Sequence, residues 1–201
     1  MDELNEDIFN IMDEEPQPSR GALLLAKPLL NDPVFGRSVI VMVDHDSKGS
    51  MGVIVNRLSG YTLRDALPQM ETEEDVPLFL GGPVHPQVLF FLHTLPQEVI
   101  PQSVQLSRGL YLGGDIAAME EYVRSGQPVN GRVKFILGYS GWSAGQLNHE
   151  VKAHDWAVMK NTLESSALMA DCEEHLWRDI VAKAGPRYRR WLLCPSDANV
   201  N

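Results

Sequence analysis

The stretch "GWSAG" at residues 141–145 has the spacing G-x-S-x-G of a nucleophile elbow, where a serine hydroxyl stands at a strand-to-helix turn of a hydrolase. "RVKFILGY" before it predicts a strand, and "QLNHEVKAH" after it predicts a helix. A serine hydrolase also needs an acid and then a histidine on later loops. Only 56 residues follow Gly145, and the best later histidine, His175, falls in a helical pattern. We therefore interpret the stretch as a glycine-rich turn and predict no catalytic residue.

Two further groups of residues suggest a metal site. His149 and His154 are five residues apart, which places them about 140° apart on a helix, whereas the zinc motif HExxH needs a spacing of four. In "DHD", Asp44 and Asp46 face one side of a predicted strand and His45 faces the other. We predict that these carboxylates cap the following turn, with a magnesium or manganese ion as the alternative. We expect no metal and no cofactor.

A candidate ligand pocket involves two glycine-containing turns, "LGGPV" and "GWSAGQL". Adjacent glycines can present backbone N–H groups as an anion-binding nest, and a helix start offers further free donors. If the fold brings both turns together, a small polar pocket results. Its predicted residues are Gly81, Gly82, His93, Trp142, Ser143 and Gln146. Alternatively, the glycines permit tight turns, the tryptophan is core, and the glutamine satisfies buried backbone groups.

The elements that must position these residues alternate irregularly between strand and helix. Short β-branched runs such as "GALLLAKP", "SVIVMVDHD" and "MGVIVNR" predict strands, and "HDSKGSMG" predicts a hairpin turn. Asp115 is a suitable N-cap for a helix with Ile116, Met119 and Val123 on one face. "DCEEHLWRDIVAKAG" predicts a second strong helix. The pattern lacks regular βαβ repeats and therefore indicates an α+β fold.

The charge distribution divides the chain into two parts. The net charge is −10, and residues 1–15 contain seven acidic residues and no basic one, which leaves −10 + 7 = −3 for the rest. We predict an acidic N-terminal arm at residues 1–19 and one domain at residues 20–201. The acidic balance disfavours direct nucleic-acid binding. Neither a signal peptide nor a span of about 20 apolar residues is evident, so we expect a soluble, cytoplasmic protein without membrane contact.

One basic patch departs from this balance. Its members lie near the C-terminus and are Arg178, Lys183, Arg187, Arg189 and Arg190. With Tyr188 and Trp191 interleaved, the patch could contact nucleic acid or an acidic partner. It could equally hold the acidic arm of the same chain, or be an ordinary solvated surface.

Several stretches together resemble the AlgH/YqgE family of bacterial proteins. They are "GALLLAKPLLNDPVFGRSVIVMVDHDSKGSMGVIVNR", "LFLGGPV", "FFLHT", "GLYLGG", "GYSGWSAGQLNHEV" and "HLW". The chain departs from the family pattern at Ser140, Ser143 and Asn148, where the family has Ala, Gly and Glu. The resemblance implies a single α+β domain with a coiled mixed, largely antiparallel sheet flanked by helices. It also implies a regulatory role, including transcriptional regulation, without a catalytic mechanism.

Two functional hypotheses follow. The first is a non-catalytic binding or regulatory protein with an unknown protein or small-molecule partner. It rests on the lack of a complete triad, a metal-ligand set, a P-loop and a G-x-G-x-x-G motif. The alternative is a small-molecule-binding protein or enzyme that uses a pocket formed by the "GGPV" and "GWSAGQL" turns.

Overall fold

The computed structural model describes residues 16–28, 30, 32–70, 72–169 and 173–194. Most of the predicted acidic arm, residues 1–15, therefore lies outside the described residues. No helix within the described ranges is long and apolar enough to cross a membrane.

Strands make up most of the described structure. They are β1 (Leu23–Ala26), β2 (Val39–Asp46), β3 (Gly49–Ile54), β4 (Leu58–Thr62), β5 (Pro77–Leu80), β6 (Val84–His93), β7 (Val104–Ser107), β8 (Leu110–Leu112), β9 (Val133–Ser143) and β10 (Trp156–Met159). The helices are α1 (Leu63–Ala66), α2 (Ile116–Arg124), α3 (Gln146–Lys152), α4 (Ser165–Met169) and α5 (Glu173–Lys183), followed by a 3₁₀ helix at Pro186–Leu193.

The strands form one coiled sheet in the order β10-β1-β2-β3-β9-β6-β8-β7. Off this path, β5 pairs with β9, and β4 pairs with β5. Neighbours along this path are antiparallel, and β5 pairs with β9 in parallel. Both faces are covered, because Leu23 and Leu25 pack in the cluster that contains α5, whereas Leu24 packs in the cluster that contains α3. The α+β prediction, with a mixed, largely antiparallel sheet flanked by helices, is confirmed.

Strand β9 is the long central strand that sets the distances between the predicted site residues. Its N-terminal part pairs with β6, with Val133 opposite His93. Its C-terminal end pairs with β3, with Ser143 opposite Gly49. At about 3.3 Å per residue, the ten residues from Val133 to Ser143 separate the two ends by roughly 30 Å.

The two helices predicted from hydrophobic spacing are present. The side chain of Asp115 caps α2 by accepting a hydrogen bond from the Ala118 amide at 2.9 Å. Of the three residues on that face, Met119 and Val123 are buried, whereas Ile116, the first residue of the helix, is 49% exposed. Helix α5 packs on the sheet through four buried side chains, Leu176, Trp177, Ile180 and Val181.

The coiling of the sheet brings its two ends together at a seam, where the strand β7 approaches the chain around β1 and β10. A Cβ atom on Gly21, just before β1, would collide with the Leu106 carbonyl oxygen of β7. Beyond the end of β10, Asn161 Nδ2 donates a hydrogen bond to Ser107 Oγ at 3.2 Å. The backbone approach at Gly21 and the hydrogen bond of Asn161 thus join the two ends of the sheet at this point.

Candidate functional site

The "GWS" residues belong to a strand. β9 continues through Gly141, Trp142 and Ser143, and Trp142 lies opposite Ser50 of β3. The turn is confined to Ala144 and Gly145, before α3 begins. The predicted glycine-rich turn at 141–145 therefore needs correction, because pairing with β3 holds its first three residues in extended conformation.

Glu150 of α3 braces this strand end. Its Oε2 atom accepts hydrogen bonds from the indole nitrogens of Trp142 and Trp156, each at 2.8 Å. Its Oε1 atom accepts one from Gln146 Nε2 at 2.9 Å, and Gln146 Oε1 in turn accepts one from the Ser143 amide at 3.0 Å. Gln146 therefore orders the backbone, and both carboxylate oxygens of Glu150 are engaged in holding two tryptophans.

This network shows how Trp142 is used. The ring is 7% exposed, belongs to the apolar cluster beneath α3, and meets Trp156 edge-on with ring centroids 5.9 Å apart. Each indole N–H needs an acceptor when it is removed from water, and Glu150 supplies it. Sequence analysis missed Glu150, although its one-turn spacing from Gln146 was a usable signal.

The geometry around Ser143 differs from that of a nucleophile elbow. An elbow places its serine on a sharp, strained turn. Ser143 has ordinary extended backbone, and the left-handed conformation occurs at Gly145, with φ of 74°. Among the described residues, no side chain forms a hydrogen bond with the Ser143 hydroxyl, which is exposed on the strand end.

The adjacent glycines of "LGGPV" allow this segment to pack closely against the backbone of β9. Both are buried, and a Cβ on Gly81 or Gly82 would collide with the backbone of β9 at Gly138 or Tyr139. The Gly81 amide donates a hydrogen bond to the Leu137 carbonyl at 2.8 Å. The prediction of an anion-binding nest was therefore wrong for Gly81, because its donor is already bound inside the sheet.

His93 lies away from the other candidate residues. It ends β6 opposite Val133, at the far end of β9 from Ser143. The ring is fully buried, stacks on Tyr111 with centroids 5.6 Å apart, and has Nε2 3.0 Å from the Gly113 carbonyl oxygen. Burial lowers the pKa of His93, and the hydrogen bond with Gly113 opposes this shift. Its inclusion in the predicted pocket was wrong, because the register of β6 and β9 separates it from the others.

The two predicted motifs nevertheless meet in one groove, which we name the hairpin groove. It has a volume of about 460 Å³ and lies beside the β2–β3 hairpin. Val84 lines it from the "GGPV" side, and Gly141, Trp142 and Ser143 line it from β9. The remaining lining residues are Asp44, Asp46, Lys48, Gly49, Ser50, Met51 and Tyr139.

The polar groups of the hairpin groove are largely engaged within the protein. Asp46 Oδ1 accepts hydrogen bonds from the amides of Lys48 at 2.7 Å and Gly49 at 3.2 Å, as predicted for a turn cap. Asp44 pairs with Arg20 at 3.2 Å. No cluster of three or more metal-ligating side chains occurs in the part of the chain that the structure describes. The sequence did not reveal the 2.7 Å contact of His45 Nδ1 with Ser50 Oγ across the hairpin.

The aromatic residues of the C-terminal basic patch face inwards. Trp191 stacks on Trp177 with an interplanar angle of 3°, and Tyr188 is buried against Trp191. Stacking on bases requires exposed aromatic faces. Arg189 and Arg190 are exposed, so this surface offers cations without aromatic platforms.

The model of AlgH-like proteins matches residues 23–189. The chain belongs to the AlgH-like family. A UPF0301 protein of Bacteroides fragilis is 39% identical to this chain and covers 98% of it and 99% of its own length. A UPF0301 protein of Parabacteroides distasonis is also 39% identical and covers 96% of this chain and 97% of its own length. The solution structure of the AlgH protein from Pseudomonas aeruginosa matches with a TM-score of 0.64 and 25% identity, covering 91% of this chain and all of that one.

A crystal structure of a Corynebacterium diphtheriae protein has the same fold. It matches with a TM-score of 0.71 and 23% identity, over 92% of this chain and 96% of its own. The AlgH-like domain is therefore an α+β fold shared across distant bacteria.

Proposed function

We propose that this AlgH-like chain is a non-catalytic binding or regulatory protein of the cytoplasm, and that the hairpin groove forms part of its contact surface. The observation that carries the proposal is the network centred on Glu150. The carboxylate, amide and indole groups nearest the candidate serine hydrogen-bond one another and hold the backbone. Groups engaged in this way stabilise a rigid surface, which suits recognition of a partner.

The shape of the groove supports binding in preference to chemistry. It is open and borders the exposed hairpin, with Lys48 and Asp46 on its rim and Tyr139 and Val84 inside. A mixture of apolar floor and charged rim is typical of protein contact surfaces. The partner is a protein or a small molecule with complementary charge.

The alternative function is a small-molecule-binding protein or an enzyme that uses the same groove. One observation favours it: the "GGPV" and "GWS" segments do meet, through Val84 and Gly141, at a volume within the range of ligand pockets. Catalysis at Ser143 would need a base, and no described side chain forms a hydrogen bond with its hydroxyl.

Charge reversal at the groove rim tests the binding proposal. Full-length protein, Lys48→Glu and the control Lys152→Glu would each be immobilised and used to capture partners from bacterial lysate. Lys48 lines the groove, whereas Lys152 is exposed on α3 and does not. We expect a specific set of captured partners to be lost with Lys48→Glu and retained with Lys152→Glu. Equal capture by all three proteins would contradict a role for the groove.

A reactive-serine probe separates the two functions. The protein and its Ser143→Ala variant would be treated with a fluorophosphonate, which labels activated serines. We expect no labelling that depends on Ser143. Labelling of the unaltered chain that disappears in Ser143→Ala would overturn the non-catalytic proposal and favour the enzyme.

A further inference from the structure

A second cleft lies at the seam, away from the hairpin groove, and we name it the seam cleft. It has a volume of about 530 Å³ and is bordered by the β7–β8 turn on one side and by the segment that follows β10 on the other. Its polar lining includes Thr94, Ser107, Arg108, Asn161, Glu164 and Ser165. No sequence motif pointed to it.

The cleft exists because side chains, and not a strand ladder, join the two sides here. Asn161 Nδ2 donates a hydrogen bond to Ser107 Oγ at 3.2 Å, and Ser165 Oγ donates one to the Arg108 carbonyl at 2.8 Å. Ladder pairing would bring the backbones to about 4.8 Å and leave no space. The hydrogen bond with Ser107 holds the Asn161 side chain against the opposite side of the cleft.

The amide oxygen of Asn161 is a hydrogen-bond acceptor that the protein itself does not use. Oδ1 is inaccessible to solvent in this structure, and no described group donates a hydrogen bond to it. A buried polar atom without a partner is costly, so native proteins rarely retain one without a reason. The other half of the same amide is anchored to Ser107, which directs Oδ1 to one fixed position.

Two opposite charges line the same cleft. The side chains of Arg108 and Glu164 are exposed there, and neither forms an ion pair or hydrogen bond with any residue that the structure describes. Two ion pairs elsewhere, Lys27 with Asp155 and Arg124 with Glu120, show the alternative arrangement. A cation and an anion, each without a described partner, therefore line one small volume.

We propose that the seam cleft binds a small zwitterion of the α-amino acid class. The ligand's carboxylate pairs with the Arg108 guanidinium, which recognises carboxylates with two parallel hydrogen bonds. Its ammonium group pairs with the Glu164 carboxylate. Each unpaired charge of the cleft is thereby matched by one group of the ligand. The inference is independent of the hairpin groove.

Titration by NMR tests this assignment. Uniformly ¹⁵N-labelled full-length protein would receive each of the proteinogenic L-amino acids up to about 10 mM, which reveals a Kd near 1 mM. We expect at least one of them to shift the Gly109 and Thr162 amide signals saturably. For that amino acid, the decarboxylated amine and the deaminated acid should bind about tenfold more weakly, or less well still, since each lacks one charged hydrogen bond.

Two charge-neutralising variants make the result specific. Arg108→Gln and Glu164→Gln change exposed side chains, so folding should be preserved, and each should weaken binding about tenfold. Arg124→Gln, on α2 and outside the cleft, should leave binding unchanged. Absence of saturable shifts with every amino acid, equal binding of the decarboxylated amine, or undiminished binding in both cleft variants would each overturn the proposal.

Discussion

The hairpin groove and the seam cleft use their polar groups in opposite ways. Beside the hairpin groove, Glu150 accepts hydrogen bonds from Trp142, Trp156 and Gln146. In the seam cleft, the guanidinium group of Arg108 and the carboxylate of Glu164 have no described partner within the protein. The first region carries the sequence motif that suggests chemistry, and the second carries none. Saturated hydrogen bonding marks a region that holds the fold together, whereas unsatisfied groups in a cleft mark one available to a ligand.

The physical cause lies in the sheet. At the C-terminal end of β9, two large indole rings enter the core, and each requires an acceptor for its N–H group. The carboxylate of Glu150 on α3 accepts the hydrogen bonds of both indole N–H groups. At the seam, two parts of the sheet meet without a ladder, so the side chains between them need not satisfy one another. Breaking each arrangement should therefore affect stability differently.

The largest effect is expected for Glu150→Ala. Two largely buried indole N–H groups and the Gln146 amide would lose their acceptor, which should lower the free energy of unfolding by about 3–5 kcal/mol. Urea unfolding followed by tryptophan fluorescence measures this. Glu121→Ala, at an exposed position on α2, is the control and should change stability by less than about 0.5 kcal/mol. If both variants lost a similar amount of unfolding free energy, the hydrogen bonds of Glu150 would not be what stabilises this end of β9.

The next largest effect on stability is expected where the backbone at Gly21 approaches the Leu106 carbonyl of β7. Gly21→Ala and Gly126→Ala both place a Cβ at positive φ, 79° and 71°, so they share the backbone penalty of roughly 1 kcal/mol. Only at Gly21 does the new Cβ collide with the Leu106 carbonyl, whereas Gly126 faces open space. Gly21→Ala should therefore cost about 2 kcal/mol more than Gly126→Ala in urea unfolding. Equal costs would mean that the two ends of the sheet do not touch there.

A smaller effect concerns the pH dependence of stability, which depends on His93 opposite the N-terminal end of β9. Burial lowers the pKa of His93 in the folded chain below the ordinary value of about 6.5. As the pH falls through 6.5, the unfolded chain gains a proton at this position before the folded chain does. Stability should therefore decrease from pH 7.5 to pH 5.5, with a slope from His93 of at most about 1.4 kcal/mol per pH unit.

His93→Gln identifies this contribution. The variant lacks the titrating ring, so its free energy of unfolding should fall less steeply over the same pH interval than that of the unaltered protein. The difference between the two slopes is the contribution of His93. Identical slopes would show that His93 takes up a proton as readily in the folded chain as in the unfolded one.

The local sequence pattern predicted several strands and helices. The residues that meet at the candidate site depend on the register between strands, which a local pattern does not contain. Short apolar, β-branched runs located β2 and β3, and capping at Asp115 located α2. The short strand β4 and helix α4 carried no comparable signal. The groove linking Val84 with Gly141 depends on pairing between distant strands, as does the separation of His93 from Ser143. The seam cleft was equally hidden, because coiling of the whole sheet creates it.

The smallest effect is expected for Ser143→Ala. The Ser143 hydroxyl is exposed and unbonded to described residues, and its role in the network depends on the backbone amide that alanine retains. Stability should therefore change by less than about 0.5 kcal/mol. Ser140→Ala, in the same strand, is the matched comparison, because Ser140 Oγ is buried and donates to the Gly81 carbonyl at 3.0 Å. It should cost about 1 kcal/mol. If Ser143→Ala is the costlier change, the serine of the catalytic-looking motif has a structural role that its hydrogen bonds do not show.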